Sequence, residues 1–198
     1  MKLYYVPQTR AARPRWMLEE LGLPYELVRL DPKKGDNKRA EYLRVHPLGK
    51  VPALEDGEVA IFESTAIVLY LADKAGRLAP PAGSAARAEY YQWILFGATT
   101  LEPPVAEISS HTHNRPAELR VAALADEGRA AFAAAAAAVE ARLSGREFLL
   151  GEFSAADVLV GSVLSWAGAL RLLAEHPALE AYVARLKARP AWQRSRAD

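Results

Sequence analysis

The stretch Gly49-Lys50-Val51-Pro52-Ala53-Leu54-Glu55-Asp56 (GKVPALED, 49–56) decides how the first eighty residues are read. A proline cannot donate a ladder hydrogen bond, so within a sheet it sits at edges, first positions or bulges. Two readings of Pro52 stay open on this octapeptide alone. It starts a strand, or it follows a cis Val51-Pro52 bond that turns the backbone of Val51 toward a ligand, X-Pro being the one linkage that adopts cis at small cost. Immediately behind it, Asp56-Gly57 separates VPALED from EVAIF (58–62), and the pair predicts a hairpin.

Outward from this hairpin, strand and helix signals alternate. KLYYV (2–6) is a short aromatic, β-favouring run. ARPRWMLEELG (12–22) predicts a helix that tolerates Pro14 in its first turn and stops at Gly22. YELVRL (25–30) alternates as a strand does. KGDNKRAEYLRVHP (34–47) is loosely helical, and ESTAIVLYLADKAG (63–76) predicts a helix ending at Gly76. The order is β-α-β-α-β-β-α. The two leading units predict parallel crossovers and the hairpin adds antiparallel strands, so the sheet is expected to be mixed.

RLAPPAGS (77–84) reads as a linker, and convincing strands are lacking after it. AARAEYYQWILFGATTLEPPVAEI (85–108) is one long helical pattern interrupted near Pro103-Pro104. HTHNRP (111–116) reads as a loop. In the alanine-rich 117–145, Phe132, Val139 and Leu143 form an apolar stripe on a strongly helix-favouring segment. SAADVLVGSVLSWAGAL (154–170) and ALEAYVARLKARPAW (178–192) predict two more helices. The fold class is therefore α/β plus all-α: a small domain over 1–76, a linker over 77–84 and an all-helical domain over 85–198.

Composition excludes several functions. Of 198 residues, 51% are apolar and 25% charged, as in a globular protein with a good core. The net charge of +1 is scattered, with no footprint for nucleic acid or an anionic membrane. Neither a membrane-length apolar run nor a signal-peptide pattern is present, which fits a cytoplasmic protein. Cysteine is absent, so any thiol chemistry must use a bound small molecule. His111 and His113, two apart in a polar loop without a third ligand, read as exposed residues rather than a metal site.

Four motifs carry the chemistry. VPQTR (6–10) places Thr9 and Arg10 at a helix start, where N–H groups and the dipole favour negative charge. Thr9 reads either as a helix cap or as a hydroxyl that donates to a thiolate. Val51, beside Pro52, can pair with an extended peptide through its backbone. In FES (62–64), Glu63 and Ser64 read as a cap with a dipole-friendly acid, or as a grip on a free amino-acid end, ammonium on Glu63 and carboxylate on Ser64. In FSAADV (153–158), Ser154 and Asp157 have capping-box spacing with Phe153 and Val158 at staple positions, a structural motif for a buried helix.

With these motifs, the chain resembles the glutathione transferase superfamily over nearly its whole length. The matching segments are LYYVPQTRAARPRWMLEELGLPYE, HPLGKVPALED, FESTAIVLYLADK and GEFSAADVLVG, in matching order and spacing. The resemblance implies a thioredoxin-like N-terminal domain, a helical C-terminal domain and a homodimer. It implies that glutathione is the co-substrate, without a metal, attacking an electrophilic small molecule. Val51 before a cis Pro52 would pair with the cysteinyl part, Glu63 and Ser64 would hold the γ-glutamyl end, and Lys50 would meet the glycyl carboxylate. The departure lies at the activating residue. Thr9 stands where bacterial relatives have serine, Tyr5 is a nearby rival, and Arg10 can assist by charge. A peroxidase, a disulfide reductase using two glutathiones, and a non-catalytic binding module are the alternatives.

Overall fold

The computed structural model describes residues 1–197. By its internal packing the chain forms two compact units, Met1–Ala79 joined by the segment from Ala188 onward, and Pro80–Lys187.

The first unit is built on a four-stranded sheet of β1 (Lys2–Tyr5), β2 (Glu26–Arg29), β3 (Ala53–Asp56) and β4 (Val59–Phe62), in the order β2-β1-β3-β4. β1 and β2 are parallel, whereas β3 runs antiparallel to both β1 and β4. The sheet is mixed, as its pattern predicts, but only the first of the two expected parallel crossovers exists. Residues 30–52 supply only short turns and the one-turn helix α2 (Ala40–Leu43). The chain therefore re-enters the sheet at the end where β2 left it, and no crossover is needed.

Side-chain alternation gives the sheet two apolar faces. Leu3 and Leu54, paired in register and fully buried, lie on the face covered by α1 (Ala12–Leu21) and α3 (Ser64–Ala75). Both helices end where the sequence places their stops, on left-handed Gly22 and Gly76. On the other face Leu30, Tyr42, Val45 and Ala53 form a cluster against which Tyr4, Val6, Val28 and Val51 pack.

The second unit contains α4 (Ala85–Phe96), α5 (Glu102–Ser109), α6 (Ala122–Leu143), α7 (Ala155–Ala169) and α8 (Pro177–Lys187). Ser84 caps α4 by accepting from the Arg87 N–H at 3.2 Å. Pro103-Pro104 do not break the chain's path. A wide π turn over Gly97–Leu101 precedes α5, and the prolines fall in its first turn, where missing N–H groups cost least. A second π turn carries the helix on through Ser110–Asn114, where the sequence reads as a loop. His111 is consequently buried, not exposed as expected; it accepts from the Val121 N–H at 3.0 Å and stands 3.2 Å from Glu107. Phe132, Val139 and Leu143 do face the core of α6.

The Ser154–Asp157 capping box opens α7. Asp157 is fully buried and accepts four hydrogen bonds: Ser154 N–H at 2.9 Å, Ser154 Oγ at 3.0 Å, Leu149 N–H at 3.0 Å and Tyr182 OH at 2.8 Å.

The segment 178–192, expected as one helix, is two. Arg189 is extended and Pro190 starts α9 (Pro190–Arg194), because the residue before a proline is pushed out of helical geometry. The second piece belongs to the first unit. Trp192 meets Trp16 edge-on with centroids 4.6 Å apart. Arg189 forks onto Glu20 at 2.6 and 2.9 Å. Residues 188–197 thus complete the N-terminal core rather than the helical domain in which the sequence places them. Among the described residues, no helix is long and apolar enough to cross a membrane.

Candidate functional site

The sheet register gathers three loops at one end. Tyr4 pairs with Ala53, and Ala53 with Phe62. The chain leaving β1 (Val6–Thr9), the chain entering β3 (Lys50–Pro52) and the chain leaving β4 (Glu63–Ser64) therefore emerge side by side. Between them the Val51-Pro52 bond is cis, the sharper of the two readings of GKVPALED.

The turn before Pro52 is tied down from several sides. Gly49 N–H donates to the His46 carbonyl at 2.8 Å, and Leu48 N–H donates to His46 Nδ1 at 3.3 Å. Asn37 Nδ2 donates to the Gly49 carbonyl at 2.7 Å, and the Tyr42 hydroxyl makes a short bond to the Lys50 carbonyl. Burial pushes the Tyr42 hydroxyl well above its ordinary pKa, so it remains a donor. Gly49 has φ +61, and a Cβ there would lie 2.2 Å from the Asn37 carbonyl oxygen. Only glycine fits this position.

Glu63 carries φ +70 and Gln8 φ +60. Side chains rarely adopt this region; of the four such non-glycine residues among those described, these two fall in the loops leaving β1 and β4, the others being Leu78 and Arg171. Glu63 is exposed and opens α3, whose first N–H groups point outward. Ser64 is buried behind it, and its Oγ accepts from Arg13 Nη1 at 3.3 Å. Arg13 is itself only 4% exposed, so a guanidinium lies beneath the helix start.

Thr9 is half-buried. Its hydroxyl donates to the Val6 carbonyl at 2.6 Å and accepts from the Ala11 N–H at 3.3 Å, closing a local turn ahead of α1, whose own N-cap, Ala11, carries no side-chain cap. Arg10 is exposed. The two tyrosines of β1 part as alternation requires. Tyr4 faces the Tyr42 side and donates to Glu55 at 2.5 Å; burial, with Glu55, pushes its pKa up to about 12. Tyr5 faces the α1 side, with the Arg15 guanidinium 5.7 Å from its ring centre. It lines a cavity of about 200 Å³ with Pro7, Gln8, Ala12, Arg15 and Arg196. Val51, like Tyr4, packs against the Leu30–Tyr42–Val45–Ala53 cluster, on the other side of the sheet from Tyr5.

Sequence reading missed Arg13, Asn37, Tyr42 and His46. Arg13 left a signal: a charge in step with Trp16 and Met17 on the buried stripe of α1. Asn37 left none, since its partner Gly49 is twelve residues away. Among the described residues no cluster of three or more His, Asp or Glu is arranged to hold a metal.

Comparison with known proteins agrees with this architecture. Residues 1–73 match the glutathione S-transferase N-terminal domain and residues 105–190 the C-terminal domain. Glutathione S-transferase F10 of Arabidopsis thaliana is 31% identical over 89% of this chain and 86% of its own. The disulfide-bond oxidoreductase YfcG of Escherichia coli K12 is 31% identical over 96% of this chain and 91% of its own. A glutathione transferase family member from Pseudomonas fluorescens Pf-5, solved with two glutathione molecules bound, superposes with a TM-score of 0.90 at 30% identity, covering 98% of this chain and 91% of that one. Family domains in order, full-length relatives and a superposable glutathione-bound structure leave one assignment: the chain belongs to the glutathione S-transferase family.

Proposed function

We propose that the protein is a glutathione transferase, which binds glutathione at the end of the sheet and activates its thiol for attack on an electrophilic small molecule. The observation that carries the proposal is the convergence of the Thr9 loop, the cis Val51-Pro52 turn and the Glu63-Ser64 helix start on one end of β1, β3 and β4. In this reading the Val51 backbone pairs with the cysteinyl residue as an added strand does. Pro52 holds that edge open. The γ-glutamyl carboxylate sits on the Ser64 hydroxyl and the α3 N-terminus, with Arg13 beneath, and Glu63 takes the ammonium. Lys50 meets the glycyl carboxylate.

Thr9 is the proposed thiolate donor. Its one hydroxyl hydrogen points to the Val6 carbonyl. Rotation about χ1 exchanges that neutral bond for a charge-assisted one to sulfur, which is the stronger of the two. Arg10 adds charge at the same loop. Tyr5 is the rival donor, and its position on the α1 side of the sheet counts against it. A free thiol titrates near pH 8.5. Lowering that by about two units, roughly 2.7 kcal/mol, raises the thiolate fraction at pH 7 about twenty- to thirtyfold. The sulfur lone pair then forms a C–S bond, the leaving group departs with its electron pair, and the thiol proton is released to solvent.

Reduction of small disulfides is the second reading. The Escherichia coli relative is named a disulfide-bond oxidoreductase, and the Pseudomonas structure holds two glutathiones. One glutathione thiolate attacks the disulfide and expels a thiolate. The second attacks the mixed disulfide, giving glutathione disulfide and two substrate thiols, and no protein cysteine is required.

Assays with a chloronitroarene, an organic peroxide and a small mixed disulfide, each with glutathione, separate the reactions. Glutathione binding without turnover in any of them refutes the enzyme and leaves the binding module. A homodimer belongs to the same proposal, supported by the exposed apolar Tyr91 and Leu95, one turn apart on α4. Sedimentation at micromolar concentration tests it, and a monomer refutes it.

A further inference from the structure

The geometry points to His46 as a positioning residue of the glutathione seat, holding the Lys50-Val51 segment in its binding shape only while its imidazole is neutral. The inference rests on the proposed glutathione site. It starts from the turn His46-Pro47-Leu48-Gly49. The backbone closes this turn through Gly49 N–H to the His46 carbonyl at 2.8 Å, and the imidazole closes it again by accepting the Leu48 N–H on Nδ1 at 3.3 Å. Asparagine and aspartate side chains commonly accept an N–H two residues ahead in this way. Here a ring nitrogen does it, and a ring nitrogen can be protonated. Nδ1 faces a donor, so the neutral ring carries its hydrogen on Nε2.

The ring has little freedom to move aside. His46 is only 4% exposed, its ring centre lies 4.8 Å from that of Phe62 at the end of β4, and Tyr42 of α2 stands 6.5 Å away. Phe62 precedes Glu63, and the turn leads directly into Lys50 and Val51. One side chain therefore joins the turn that presents Val51 to the strand that presents Glu63. The charged groups facing it are Glu63, which favours the imidazolium as does a hydrogen bond to the backbone of His46 itself, and Lys50, which opposes it. Burial is the largest influence and keeps the ring neutral below its ordinary range. Protonation would place an N–H against the Leu48 N–H and bring a positive charge toward Lys50. Both effects loosen the segment that holds the peptide. The Tyr42 hydroxyl, kept protonated, does not titrate with it.

The competent form is the neutral one, so affinity is full above the imidazole midpoint, which lies below 6.5, and is lost as pH falls through it. Apparent Kd scales inversely with the competent fraction. One pH unit below the midpoint it should rise about tenfold.

The probe is S-methylglutathione, whose blocked sulfur removes thiolate titration from the measurement. Calorimetry on the full chain gives Kd from pH 7.5 downward, and NMR of the imidazole carbons gives the His46 midpoint. His46→Asn supplies a non-titrating acceptor at the same position. It should bind within about threefold of wild type at pH 7.5 and escape the acid loss. His46→Ala should bind weakly at every pH. The wild-type to His46→Asn ratio cancels any contribution from Glu63. In wild type alone, the Leu48 amide resonance should titrate with the His46 midpoint. A ratio that stays flat through that midpoint, with binding intact at pH 7.5, overturns the role of His46 and leaves the glutathione reading standing. No binding at pH 7.5 overturns both.

Discussion

Replacing Asp157 with alanine should cost far more than removing a helix cap. A surface cap contributes about 1 kcal/mol. Asp157, however, has no exposed surface and collects four donors from three places in the chain: Ser154 twice, Leu149, and Tyr182 from α8. Each buried donor left without an acceptor costs about 1 kcal/mol or more, so the low-end sum is about 4 kcal/mol. Burial pushes the carboxyl above its ordinary range despite these bonds, so removing it returns part of that desolvation. The net expectation is a loss of about 3 kcal/mol or more, read by urea denaturation followed by circular dichroism. For a chain of this length the corresponding fall in Tm is about 6–12 °C. Tyr182→Phe separates the network from the cap. Alone it should cost about 1–2 kcal/mol; in the Asp157→Ala background it should be neutral or stabilising, because the hydroxyl has already lost its acceptor. A loss below about 1 kcal/mol for Asp157→Ala, or strict additivity of the two changes, refutes the reasoning.

Three further outcomes are expected. Thr9→Ala should lower kcat/KM for conjugation at pH 7 about twentyfold and move the pH–rate midpoint about two units toward that of free thiol, with Thr9→Ser restoring it; a midpoint that moves with Tyr5→Phe instead transfers the role to Tyr5. Gly49→Ala combines a left-handed backbone with a Cβ 2.2 Å from the Asn37 oxygen. It should abolish glutathione binding in calorimetry while leaving α7 folded, and unchanged affinity would show that the turn is not part of the seat. Trp192→Ala removes the ring packed against Trp16 and should cost about 3 kcal/mol, detected as loss of hydrogen-exchange protection in α1; protection that is lost only in the helical unit would contradict the grouping of α9 with the sheet.

Much of the site was legible in local sequence because its parts are local devices. Gly22 and Gly76 stop their helices by conformation alone. Ser154 and Asp157 cap across three residues, and Pro52 restricts only its own neighbourhood. Most of what escaped notice depends on partners distant in the chain, although His46 acts on Leu48 only two residues ahead. Arg13 meets Ser64 across 51 residues, and Asn37 reaches Gly49 across twelve.

The sequence by itself determined the element order of the first domain, the mixed sheet, the division into an α/β and a helical part, and a proline turn beside a helix-start acid and serine, whose cis bond was an expectation of the family resemblance. Hydrophobic period, glycine and proline act within a few residues, so these features are written in one dimension. Only the tertiary structure decided that β3 runs antiparallel to β1, that His111 is buried, that residues 188–197 complete the first core, and that His46 ties the Val51 turn to β4. Each of these depends on which surfaces remain to be covered once the elements have formed. That is a property of their packing in space, which spacing along the chain does not encode.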